Sequence, residues 1–208
     1  MKPLRARLRQ FHADDSGATL VEFAIVISIF VFLLFGVIDF ARLSYSVVMA
    51  GNATELGVRL ASTRAPLCKT ALTQIVARQS LTSKLSYPDG SRCAASANLC
   101  AVPPTLSCSG SAISTNGGQQ IWARLAPLMP NGATLANLKI TYSYDAAANR
   151  VGTRYAPLVT VEITNLDFDF ISPLGALAKA AGAANASGLD GPQKFPALSA
   201  SLPSEDLE

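Results

Sequence analysis

One stretch limits what this chain can become: Gly17 to Arg42, GATLVEFAIVISIFVFLLFGVIDFAR. Phe23 to Ile38 is a run of 16 residues without a charge, and extending back to Ala18 gives 21. At about 1.5 Å per residue this is roughly 31 Å of helix, enough to cross a bilayer core. Glu22 is the only formal charge inside it. An ionised group costs about 2.5–3.5 kcal/mol at mid-bilayer and less near an interface. A carboxylate five residues after Gly17 therefore needs a reason.

The residues ahead of this stretch, MKPLRARLRQFHADDS, are basic and lack apolar periodicity, and they read as a cytoplasmic leader. Lys2, Arg5, Arg7 and Arg9 against Asp14 and Asp15 supply +2 of the formal net charge of +3. The positive-inside bias places this end in the cytoplasm and everything after Arg42 outside. A cleavable secretory signal is the rival reading, but its apolar core usually runs only about 7–15 residues. The small-residue site downstream, Val48-Met49-Ala50, also lies beyond Asp39 and Arg42. No basic cluster survives past Gly17, so nucleic acid is not an expected partner.

Ser16-Gly17 can be read simply as a helix cap. That leaves Glu22 unexplained. The basic leader, Gly17, then Ala18-Thr19-Leu20-Val21-Glu22-Phe23 and an apolar run together resemble the processing site of type IV pilin-like proteins. The resemblance implies that a membrane aspartyl peptidase cuts between Gly17 and Ala18, leaving a glutamate fifth in the mature chain. Phe23 stands where the small tight-adherence pilins usually carry tyrosine.

The segment DFARLSYSVVMAGNATELGVRLAST deepens the resemblance. It is similar to the N-terminal module of TadE-like proteins, pseudopilins of the tight-adherence (Tad) pilus machinery. In that family an acidic–aromatic–small–arginine step ends the apolar segment and an N-A-x-x-E/G-x-R helix follows. The matching residues here are Asp39, Phe40, Ala41 and Arg42, then Asn52, Ala53, Glu55, Gly57 and Arg59. Apolar residues at Leu43, Val47, Ala50, Leu56 and Leu60 keep helical spacing, Asp39–Arg42 and Glu55–Arg59 are placed to pair, and Pro66 ends the pattern. One helix from about Ala18 to Thr63 is expected, weakened slightly at Gly51 and Gly57.

A short amphipathic helix is expected over Leu67 to Leu85. Residues 86–120 read as a loop that is stapled rather than packed, with a brief helical turn at Ile121 to Leu125 and Trp122 as a core plug. Leu138 to Tyr144 and Leu158 to Ile163 alternate as strands, joined by turn chemistry from Asp145 to Gly152, which predicts an antiparallel hairpin. Asp167 to Phe170 continues the alternation until Pro173, and Phe195 to Leu202 adds a third strand. Residues 175–191 are Ala/Gly-rich and weakly structured. The V-x-V-x-I…F-x-F…P pattern also resembles the last strands of TadE-like proteins.

Cys68, Cys93, Cys100 and Cys108 follow the apolar segment with spacing C-x24-C-x6-C-x7-C, which lacks the paired knuckles of zinc sites. An even count outside the membrane predicts two disulfides, with three pairings open. The single histidine, His12, lies in the leader, so Ser–His–Asp or Cys–His nucleophiles and imidazole metal sites are not expected outside. Asp167 and Asp169 share one side of a strand and read as a solvated face rather than a calcium or acid–base pair. No phosphate-binding glycine motif follows a strand. The expectation is a non-enzyme without cofactor.

The predicted architecture is α+β: a leader over 1–17, a transmembrane and extended helix over 18–66, and a small disulfide-bonded domain with an antiparallel sheet over 67–208. The resemblance implies a minor pilin-like subunit of Tad/Flp-type pilus biogenesis, anchored in the bacterial inner membrane or carried into the pilus. Its partners would be the lipid bilayer, other pilin and pseudopilin subunits, and a prepilin peptidase. The alternative is an unprocessed single-pass protein whose outer domain binds a ligand or surface component. Cleavage would free an α-amine on Ala18, set too far round one helix to pair well with Glu22 but within reach of Glu22 on a neighbouring, axially offset helix. Hydration of Glu22 at the cytoplasmic interface is the other reading.

Overall fold

A computed structural model of the chain describes residues 17–69, 87–113, 115–172, 175, 176, 179, 182 and 192–205. The leader over 1–16, Pro173, and most of 175–191 lie outside the described residues. So does the helix expected over 67–85, except its first residues, where Cys68 forms an isolated antiparallel bridge with Ile113 instead of a helical turn. By contact density the chain divides into two units, Met1–Arg42 with Phe170–Gly191, and Leu43–Asp169 with Pro192–Glu208.

Helix α1 spans Ala18–Ser62, within one residue of the expected end. In the second unit its buried face is made mostly of small residues. Ala50, Ala53 and Ala61 are fully buried, and Gly57 has no room to spare. A Cβ there would sit 3.2 Å from methyls of Leu125 and of Val161. The glycine is thus a close-approach site, not a weak point of the helix. Val58 is buried among these small residues, whereas Leu56, expected on the apolar side, is 37% exposed. Glu55 and Arg59 form no ion pair with each other. Gly57→Val is expected to destabilise the unit by about 1–3 kcal/mol through overpacking. Thermal unfolding of the solubilised chain reads this, and an unchanged Tm would show the contact to be compliant.

The sheet is wholly antiparallel, in the order β1 (Leu106–Ser109), β2 (Leu138–Ser143), β3 (Leu158–Ile163), β6 (Leu198–Pro203). Leu138, Ile140 and Tyr142 pair with Ile163, Val161 and Val159, and all six are buried. The opposite face carries Lys139 beside Glu162, an ion pair at 3.2 Å, and Thr141 beside Thr160. Period-2 alternation therefore gives one packed and one wet face, as the sequence predicts. The Tyr142 hydroxyl accepts a hydrogen bond from the Leu67 amide at 3.0 Å, and burial pushes the phenol above its ordinary pKa.

Helix α2 spans Thr115–Leu125, longer than the expected turn. Ile121 and Leu125 are its buried plugs, whereas Trp122 is only half-buried. Gly118 admits the Ile113 side chain, which would collide with any Cβ. Among the described residues of this expected loop, the disulfides are thus joined by local packing. Cys93, Leu99 and Cys100 cluster with Val151, flanked by Tyr87, Tyr144 and Ala146. The hairpin connection is held from within by buried Asn149. Its amide donates to the Asp145 and Ala156 carbonyls and its oxygen accepts from the Ala156 amide, each at 2.8 Å.

Beyond β3 the alternation does not continue in the same sheet. Asn165 takes a left-handed conformation, φ 53°, and the chain turns away. β4 (Asp167–Phe168) then pairs with β5 (Gln193–Lys194) as a separate two-stranded ribbon. Asp169 lies just past the strand, and Asp167 and Asp169 are both exposed on either side of buried Phe168, in keeping with a solvated face. Asp167 meets Lys194 at 3.2 Å, an exposed pair worth little.

Candidate functional site

The helix segment from Ala18 to Arg42 is the feature most unlike an ordinary fold surface. Leu20, Phe23, Val26, Phe30, Leu33 and Val37 are each at least 60% exposed, and the apolar side chains between them are exposed too. An amphipathic helix hides one stripe; this one is apolar all round, and such helices need a surrounding apolar medium. None of its most apolar stretch is buried within the chain, and the helix is long and apolar enough to cross a membrane. The Ser28 hydroxyl is satisfied locally, donating to the Ala24 carbonyl at 2.7 Å.

Gly17 and Ala18 lie at the start of α1 and are exposed, with Gly17 surrounded by open space within 4 Å of where a Cβ would stand. Glu22 is exposed one turn into the helix and has no hydrogen-bond or ion-pair partner among the described residues. Phe23 beside it is 66% exposed. One geometric expectation needs correcting. Ala18 and Glu22 are four apart within α1, and residues at that spacing stack on one helix face. A free amine at Ala18 would therefore have its own Glu22 as a competing partner.

At the other end of the apolar run, Asp39 is almost fully buried, its side chain 2% exposed. Arg42 Nη1 approaches its carboxylate at 3.4 Å, the expected pair. The stronger partners come from a distant stretch. The Ile171 amide donates to one oxygen at 3.3 Å and the Ser172 amide to the other at 3.0 Å. The Ser172 hydroxyl also donates to that second oxygen. Phe40 and Phe170 set their rings 5.9 Å apart beside this clasp. A separation of 133 residues between Asp39 and Ser172 leaves no local pattern from which to find it.

The four cysteines form two disulfides, Cys68–Cys108 and Cys93–Cys100, one of the three pairings the sequence leaves open. The first ties the segment leaving α1 to β1, and the second closes the short loop that packs on Val151.

Residues 17–59 match the family model described as TadE-like protein. The matched span contains the Gly17–Ala18 junction, Glu22, Phe23, Asp39, Arg42 and Gly57. It supports a Tad pilus-associated component with an N-terminal membrane helix. No curated protein and no solved structure matches the chain.

Proposed function

We propose, from the premise that residues 17–59 form a TadE-like module, that the chain is a minor pilin-like subunit of Tad/Flp-type pilus biogenesis. The leader is removed by a prepilin peptidase between Gly17 and Ala18. The mature protein stays in the bacterial inner membrane through α1, with the leader side cytoplasmic and the disulfide-bonded part outside. It works by assembling with other pilin and pseudopilin helices and carries out no catalysis. One observation carries this reading. The family match coincides with a helix whose apolar surface is exposed all round and which carries, one turn in, a glutamate without a partner among the described residues. Lipid can cover the apolar side chains, but Glu22 calls for a polar partner, and a neighbouring processed helix offers one.

Replacing Gly17 tests the processing step. Nothing lies within 4 Å of where a Cβ at Gly17 would stand, so Gly17→Phe meets no close neighbour there among the described residues. Any effect then reflects access of the peptidase to the backbone. The variant is expected to accumulate as the longer precursor in membranes, seen as slower migration against the parent protein. Equal migration of the two would count against cleavage at this site. It would favour the rival reading, a single-pass protein with an uncut leader and a ligand-binding outer domain.

A further inference from the structure

We propose that Phe170, Ile171 and Ser172 form a second membrane contact, with the Ile171 side chain set among lipid acyl chains at the outer edge of the bilayer. The inference rests on the reading that α1 spans the membrane. It concerns a segment 130 residues further along the chain, outside the family match.

Ile171 is 75% exposed, more than Leu20 at 72%, the most exposed large apolar residue of the helix segment. Its height is fixed. Asp39 directly follows Ile38, the last residue of the uncharged run, and roughly 31 Å of helix from Ala18 brings this level to the far side of the hydrocarbon core. The Asp39 carboxylate accepts from the Ile171 and Ser172 amides, so both backbone donors are held at that level and both are satisfied. Satisfied backbone groups are what a segment at a lipid boundary requires. The carboxylate is itself supplied with donors from Ile171, Ser172 and Arg42, which permits it to stand at a low-dielectric edge. Around it lie Phe40, 55% exposed, with its ring against Phe170, and Arg42, whose long stem lets its charge reach water. Aromatic rings and snorkelling arginines favour this depth. Exposed apolar side chains therefore stand at this level on both segments, Ile38 and Phe40 on α1 and Ile171 held beside Asp39, and lipid that covers the first two also reaches the third.

The test uses the full chain in phosphatidylcholine–phosphatidylglycerol vesicles. All four native cysteines are in disulfides, so a single introduced cysteine takes an environment-sensitive fluorophore specifically. Three variants are compared: Ile171→Cys, Phe30→Cys within the helix, and Thr153→Cys on the exposed hairpin connection. Position 171 is expected to emit to the blue of position 153 and to be quenched by shallow nitroxide-labelled lipid. Quenching by aqueous iodide is expected to fall several-fold below that at 153. Iodide access equal to that at 153 would overturn the proposal. So would shielding from both iodide and nitroxide lipid, because protein would then be the cover. Position 30 separates the two levels of failure. If it is lipid-quenched while 171 is not, only the second contact falls. If neither is lipid-quenched, the spanning reading falls and takes the proposal with it.

Discussion

Removal of the Cys68–Cys108 bridge is expected to cost about 4 kcal/mol of stability, against about 2.5 kcal/mol for Cys93–Cys100. The difference follows from loop size, since the cysteines are 40 residues apart in the first and 7 in the second. A longer closed loop removes more freedom from the unfolded chain. Domains are typically stable by only about 5–15 kcal/mol, so the first loss is a large share of the total. The paired variants Cys68→Ala/Cys108→Ala and Cys93→Ala/Cys100→Ala avoid stray thiols. Their denaturation midpoints, with the solubilised parent as reference, should fall in that order. The reverse order would mean that the local cluster of Leu99, Val151 and Tyr144 depends on its bridge more than the sheet does on Cys68.

The second large effect is expected at Glu22. An uncompensated carboxylate in apolar surroundings is costly, and an amine on Ala18 of a neighbouring helix relieves both charges while fixing the stagger between subunits. Glu22→Ala should then insert and lose its leader normally, yet fail to co-purify with partner pilins and give few or no surface filaments. The stacking of Ala18 over Glu22 in α1 supplies the competing account, in which each helix satisfies its own pair. That account, like simple hydration of the glutamate, predicts full piliation by the processed Glu22→Ala protein. Such a result would remove the role assigned to Glu22.

Much of the fold is legible in the sequence where a local period runs unbroken. The uncharged run and its helical continuation give α1 to within a residue, and alternation gives β2, β3 and most of β6. What stays hidden depends on distant partners. β1, Leu-Ser-Cys-Ser, is too short and polar to announce itself, and pairing with β2 together with the Cys68 bridge makes it a strand. The first half of α2, Thr-Asn-Gly-Gly-Gln-Gln, has no apolar period, and Gly118 is explained only by the Ile113 side chain lying against it. Gly57 reads as a helix weakness until Leu125 and Val161 are placed beside it. β4 leaves the main sheet because Asn165 reverses the chain, a turn that alternation alone does not reveal. At the candidate site the Asp39–Arg42 pair is legible from its spacing. The Ile171 and Ser172 clasp on Asp39 is not, since its two sides are joined only by the completed fold.

The central claim is that the working protein is a processed pilin-like subunit, and the intact mass of the membrane-extracted chain tests it most directly. The account predicts a mature protein that begins at Ala18, lacks residues 1–17 and contains two disulfides. A chain that still begins at Met1, or one that begins after Ala50 as a secretory cut would leave it, would contradict the account.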